Sequence, residues 1–139
     1  QQVVVDAVTR SRARLVDDPE GAMRAVAGHE LAAMAGFFIA AADAGSTIVL
    51  DGFIATAAAL IAERLAPGTV DAMIAAHRSA EPAHGAALDA LGLEPMLDWD
   101  LRLGEGTGAL LLMPLLDAAA AMVAEMATFV SAGIPTEAG

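Results

Sequence analysis

Glu105 stands between Gly104 and Gly106 in RLGEGTGA, residues 102–109, just before the apolar run ALLLMPLL. A carboxylate there has two possible uses. It can take a proton from a reacting group on a loop that lets a ligand approach the main chain, or it can face water in a turn whose glycines permit unusual backbone angles. The spacing is not a Walker loop, because no Lys-Ser/Thr follows, and it misses the Gly-x-Gly-x-x-Gly dinucleotide fingerprint. Its amides, at the start of a helix, favour an anionic group.

Two further stretches hold polar groups in an otherwise apolar half of the chain. Asp51-Gly52 follows STIVL, where Gly52 lets a ligand reach the backbone and Asp51 either contacts that ligand or caps the next helix. HRSAEPAH, residues 77–84, offers Ser79 to a phosphate, with Arg78 pairing the same group or Glu81. A Ser-His hydrolase is not indicated, since there is no Gly-x-Ser-x-Gly elbow. His77 and His84 lack the clustered carboxylates of a metal site, so no metal is expected. His29 is expected at a helix start or on the surface.

The elements that position these groups follow from the pattern of apolar residues. Helices are expected over about 3–16, 20–27 and 29–43, with Asp18-Pro19 opening the second and Gly45 closing the third. STIVL, 46–50, is a β-branched run suited to a strand buried on both faces, and a helix follows it up to Pro67-Gly68. The order repeats as strand 71–76, polar loop 77–82 and helix 83–92, then as strand 95–103, GEGTG and an apolar helix in which Pro114 lies in a first turn or makes a kink. Met34, Met73, Met96, Met113, Met122 and Met126 are expected in the core.

Strands alternating with helices give an α/β fold: a partial Rossmann-like parallel sheet of two to three strands flanked by helices, with a helical first third and a long C-terminal helix. Residues 1–139 are expected to form one unit, comprising a helical segment 1–45, strand-loop-helix units 46–108 carrying the site loops, and a C-terminal helix 109–132. In such sheets ligands bind beyond the carboxyl ends of the strands, which draws Asp51, Gly52, His77, Arg78, Ser79, Arg102 and Glu105 to one edge. So thin a sheet, with a helical third that has nothing to cover, marks part of a larger fold.

Composition narrows the function classes. With 139 residues and 57% apolar content the chain can bury a core, and its 4% aromatic content points to helices packed through alanine. The net charge of -11 disfavours nucleic acid and anionic membrane surfaces, and all seven basic residues are Arg. Of these, Arg10, Arg12 and Arg14 are expected on a solvated helix face. The longest uncharged stretch, 31–42, is short of the about 20 residues a membrane span needs, so no spanning helix is expected. Without cysteine or a secretory signal pattern, the expected location is cytoplasmic.

Taken in order, GHELAAMAG (28–36), LDGFIATAAAL (50–60), AHRSAEPAH (76–84), LDALGLEPMLD (88–98), LRLGEGTGA (101–109) and EMATF (125–129) resemble the nicotinate-nucleotide:dimethylbenzimidazole phosphoribosyltransferase family. HRSAEP followed by RLGEGTGA at this spacing is the specific part. The resemblance implies transfer of ribose 5-phosphate from nicotinate mononucleotide to 5,6-dimethylbenzimidazole. The products are α-ribazole 5'-phosphate, the lower-ligand nucleotide of cobalamin, and nicotinate; a homodimer and no cofactor are implied as well. It also implies Glu105 as general base, nucleotide contacts at Asp51, Gly52, Ser79, Arg102 and Gly104, and Leu103 lining the benzimidazole slot. The likeness covers roughly the last two fifths of the family's length. A second active-site carboxylate, a phosphate-binding Lys and most of the benzimidazole pocket are therefore missing, and the chain is expected to be a C-terminal fragment inactive alone. The alternatives are a noncatalytic nucleotide- or anion-binding module and a helical oligomerisation domain.

Overall fold

A computed structural model of the chain describes residues 2–135. In the first third, caps that the sequence provides open the second helix and close the third, while the first helix stops at Arg12, short of the expected residue 16. Helix α1 spans Gln2–Arg12 and α2 spans Pro19–Val26, with the Asp18 side chain accepting from the Gly21 amide at 2.8 Å. Helix α3, His29–Asp43, closes on Gly45 at φ 71, where the Gly45 and Ser46 amides bond back to Ala42 and Ala41. A left-handed residue after the last turn is what these bonds require, and glycine adopts it without a Cβ clash. His29 is the exposed first residue of α3, and Arg10, Arg12 and Arg14 are exposed.

The second part alternates strand and helix as expected, but its strands are shorter and more numerous. Strand β1 is Ile48–Leu50, α4 is Phe53–Leu65, β2 is Met73–Ala75, β3 is His77–Ser79, α5 is His84–Leu91, β4 is Leu97–Leu101 and α6 is Thr107–Glu125. Two expectations need correction here. Thr69–Ala72 forms a 3-10 turn that precedes β2, and the first half of HRSAEP is strand β3 rather than loop, leaving only 80–83 to turn the chain. The expected two to three strands are thus four short ones among the described residues, since the strand expected over 71–76 is carried on through His77–Ser79 with one break at Ala76.

The strands pair in parallel, β1 with β2 and β3 with β4. Ala76 alone separates β2 from β3, its amide donating to Leu50 and its carbonyl accepting from Leu97. The run 73–79 therefore has β1 along its first half and β4 along its second. Against the three residues of β3, β4 spends five, and Asp100 at φ 53 absorbs the irregularity. All of these strands point the same way, so the segments after β1, β3 and β4 leave from one edge.

The core lies between α3, α4 and the first strand pair. Phe38, Ile48, Leu50 and Met73 pack with Ala58, Ala59 and Ala62, whose fully buried methyls allow α4 to approach closely. Alanine packing was expected; the fate of the methionines was not. Met73 is core and Met34 lies against it, but Met96, Met113, Met122 and Met126 are exposed. For Met113, Met122 and the adjoining Met126 the reason is geometric: α6 buries only Gly108 and Leu112, so most of its apolar surface faces no neighbouring element.

Helix α6 also corrects an expected boundary. It ends at Glu125 rather than at 132, and Thr128 and Ser131 then bond each other in a turn. Pro114 is in its interior and the helix continues through it. At 19 residues α6 is long and apolar enough to cross a membrane by length and composition, contrary to the expectation drawn from uncharged runs, because Asp117 interrupts the charge count without ending the helix.

Candidate active site

The cleft at the strand ends is built from three short pieces of chain. Asp51 and Gly52 leave β1, Ser79 ends β3, and Arg102, Leu103, Gly104 and Glu105 join β4 to α6. All seven residues line one cleft of about 510 Å³, together with the first turn of α4, His77 and Glu81. The convergence expected from parallel topology is therefore realised, with the 22 residues between Ser79 and Arg102 folding away as α5 and β4.

Glycine at 104 and 106 follows from backbone geometry. Gly104, Glu105 and Gly106 have φ values of 74, 58 and 79, three consecutive left-handed residues. Two can be glycine without penalty; the third is not, and a non-glycine residue in this region costs about 1–2 kcal/mol. Glu105 is held there, exposed at the rim, by the turn that ends when the Thr107 amide bonds the Gly104 carbonyl. A strained carboxylate facing a cleft is the pattern expected where function sets the residue.

Asp51 holds that turn. Its Oδ2 accepts from the Gly106 amide and its Oδ1 from the Ala109 amide, both at 3.1 Å. The anionic group at the start of α6 is thus the protein's own carboxylate. Asp51 caps a helix 55 residues distant, not the α4 that follows it. By contrast α4 begins at Gly52 with no side-chain cap, and its first turn, Phe53 to Ala55, lines the cleft. Uncapped amides at a helix start attract an anion.

Two histidines lie beneath these loops, and both are buried. His84, at the start of α5, accepts from the Ser79 amide at Nδ1, 2.8 Å, and has Nε2 2.9 Å from the Thr56 hydroxyl, which in turn donates to the Gly52 carbonyl at 3.0 Å. Burial, then the nearby His77 and Arg78, push its pKa below the usual histidine value, while Asp51 pulls the other way. His77, only 2% exposed, puts Nε2 3.9 Å from Asp51, and its Nδ1 has no partner. A Cβ on Gly108 would stand 2.0 Å from the His77 ring, so α6 can seat on this histidine only with glycine at that position. Among the described residues no group of three or more His, Cys, Asp or Glu is placed to hold a metal.

The charged pairs differ from those expected of HRSAEP. Arg78 turns to Asp98 at 3.5 Å, and it is Arg102 that meets Glu81, also at 3.5 Å. Arg78 thus leaves the cleft to Arg102. Of the buried groups here, the sequence singles out His77 for the edge where ligands bind, offers His84 only as a poor metal ligand, and does not single out Thr56. Thr56 had a local signal, since a residue four after the helix-opening Gly52 sits over its carbonyl.

Comparison with known proteins agrees with this architecture. The family model described as phosphoribosyltransferase matches residues 1–134. The chain is 52% identical over 133 residues to the nicotinate-nucleotide–dimethylbenzimidazole phosphoribosyltransferase of Mycobacterium ulcerans, and 51% identical over 133 residues to that of Mycobacterium tuberculosis. Each alignment takes in 96% of this chain and 37% of the relative. A crystal structure of the enzyme of the same name from Thermus thermophilus superposes with a TM-score of 0.81 at 50% identity, over 93% of this chain and 39% of that one. Another, described as CobT from the same organism, gives 0.82 at 51% identity. The chain spans well under half the length of the curated relatives it matches.

Proposed function

This chain belongs to the phosphoribosyltransferase family, and on that premise we propose that its cleft forms part of a site that moves ribose 5-phosphate from nicotinate mononucleotide to 5,6-dimethylbenzimidazole. The observation that carries the proposal is Glu105, held left-handed at the rim of the cleft that receives all three strand ends.

In this reading the phosphate binds the open start of α4 at Gly52 to Ala55, with the Ser79 hydroxyl and Arg102 beside it. Leu103, exposed on the cleft wall, lines the slot for the flat benzimidazole. One azole nitrogen attacks the anomeric carbon of the ribose as the bond to the nicotinate nitrogen breaks. That electron pair returns to the pyridine ring, and the configuration at carbon inverts. The azole nitrogen that forms the bond gains positive charge, and the proton on the other ring nitrogen passes to Glu105. A base so placed contributes about 10² to 10⁴ in rate.

Asp51 acts through backbone in this scheme, fixing the Glu105 turn by its bonds to Gly106 and Ala109. Because the chain matches 37% of the relatives' length, the rest of the site lies on polypeptide that this chain does not contain, and the chain alone is expected not to turn over. The exposed apolar faces of α1 and α6 support packing against further polypeptide, including a second copy, in a cytoplasmic homodimer.

The test is a chimera in which this chain replaces the matching segment of the Thermus thermophilus protein. It should make α-ribazole 5'-phosphate, which the 139-residue chain by itself should not. Glu105→Gln in the chimera should lower turnover by about 10² or more while leaving nicotinate mononucleotide affinity intact. An undiminished rate in that variant removes the general base; binding without turnover in the unmutated chimera favours a noncatalytic nucleotide-binding module.

A further inference from the structure

The transfer chemistry uses Ser79 and Gly52 but assigns nothing to the groups that join them. An amide nitrogen can only donate, so the Ser79 N–H directed at His84 Nδ1 from 2.8 Å requires a lone pair there. The ring proton is then on Nε2, aimed at the Thr56 oxygen 2.9 Å away. That leaves the Thr56 hydroxyl to donate to the Gly52 carbonyl at 3.0 Å. Every bond in the series has one possible direction, and it runs through a ring 1% exposed, from the end of β3 to Gly52, the residue just before α4. The ring stacks in T-shaped fashion with Phe53 and His77, centroids 6.3 and 6.2 Å away, so side-chain packing fixes its plane as well.

From this geometry we propose that His84 is a positioning residue: through Ser79 on one side and Thr56 on the other, it sets the separation of the two backbone segments between which the nucleotide phosphate is held. The inference rests on the nucleotide reading of the cleft. A second proton on the ring would turn Nδ1 into a donor facing the Ser79 N–H, and the bridge would open at that end. The charged and titratable groups that bear on the ring are His77 and Arg78 from β3, which oppose that proton, and Asp51 after β1, which favours it.

Long-range proton–nitrogen spectra of the labelled 139-residue chain read the tautomer directly. They should show Nδ1 bare and Nε2 protonated at neutral pH; the reverse tautomer overturns the proposal. Amide exchange at Ser79 in this chain, and the dissociation constant of nicotinate mononucleotide in the chimera, should then be compared with Thr56 intact, in Thr56→Val and in Thr56→Ser. Losing the hydroxyl should speed Ser79 exchange and weaken the nucleotide about tenfold each. The serine variant, which keeps the hydroxyl, should hold both within about twofold of wild type. Unchanged Ser79 exchange in Thr56→Val overturns the bridge, and equal affinity in all three proteins overturns its part in binding. If even the chimera with Thr56 intact ignores the nucleotide while Ser79 responds as expected, the bridge is upheld and the nucleotide reading of the cleft is what fails.

Discussion

The Gly106 amide donates to the Asp51 carboxylate across 55 residues of sequence, 3.1 Å from nitrogen to Oδ2, while the other carboxylate oxygen takes the Ala109 amide. One side chain thus joins the end of β1 to the first turn of α6. Asp51→Asn keeps the size but turns one of the two acceptors into a donor that faces an N–H. It should lower unfolding stability by about 1–2 kcal/mol, the range for losing a charged helix cap. Urea unfolding followed by circular dichroism checks this, and an unshifted midpoint would show that α6 is not anchored there.

Gly108 is tied to His77 by shape rather than by a bond. Its added Cβ would overlap the ring at 2.0 Å, and the ring is too enclosed to swing away. Gly108→Ala should therefore destabilise by about 1–3 kcal/mol, as overpacking does. Gly36, inside α3, has nothing within 4 Å of its would-be Cβ, so Gly36→Ala should stabilise by about 0.5–1 kcal/mol through helix propensity. Most of the Gly108→Ala loss should vanish in a His77→Ala background, which a double-mutant cycle on melting data measures. A loss that persists there places the clash elsewhere.

How much of this could be read from the chain depends on whether the cause is local. Asp18-Pro19 and Gly45 mark helix ends through bonds made within a turn, and they were legible. The convergence of Asp51, Ser79 and Glu105 was legible too, because parallel topology dictates it without any side-chain detail. Asp51's partner was not. Capping across 55 residues leaves no mark in spacing, and the local rule pointed to α4 instead. His84 was misjudged for the same reason: its role is visible only when β3, α4 and α5 are in contact. The exposed methionines failed for a different cause, since apolar periodicity records that a face is to be covered and not whether the cover is part of this chain.

The lowered pKa of His84 fixes the sign of one acid dependence. Burial favours the neutral ring in the folded chain, so between the ordinary histidine value and its lower folded one, the unfolded chain binds a proton that the folded chain does not. Stability therefore rises with pH across that window, and falls as pH drops from about 6.5 toward the folded value. His84→Gln removes this contribution. Wild-type and variant stabilities, measured by urea unfolding from about pH 7.5 to about pH 5, should draw together as pH falls. Parallel curves would mean that the ring titrates alike in both states.

Glu105 separates strain from chemistry. Its φ of 58 costs about 1–2 kcal/mol with a Cβ present, while glycine at the same place loses about 0.5–1 kcal/mol more backbone entropy on folding. Glu105→Gly should thus gain a few tenths to about 1 kcal/mol in the 139-residue chain. Glu105→Gln retains the Cβ and the angle, so its unfolding midpoint should match wild type. Both variants should abolish most turnover in the chimera, because each removes the carboxylate. The pattern that supports a strained catalytic turn is therefore two inactive proteins, only one of which is stabilised. If glycine brings no stability over glutamine, the left-handed turn carries no strain, and the choice of residue 105 owes nothing to a compromise between fold and reaction.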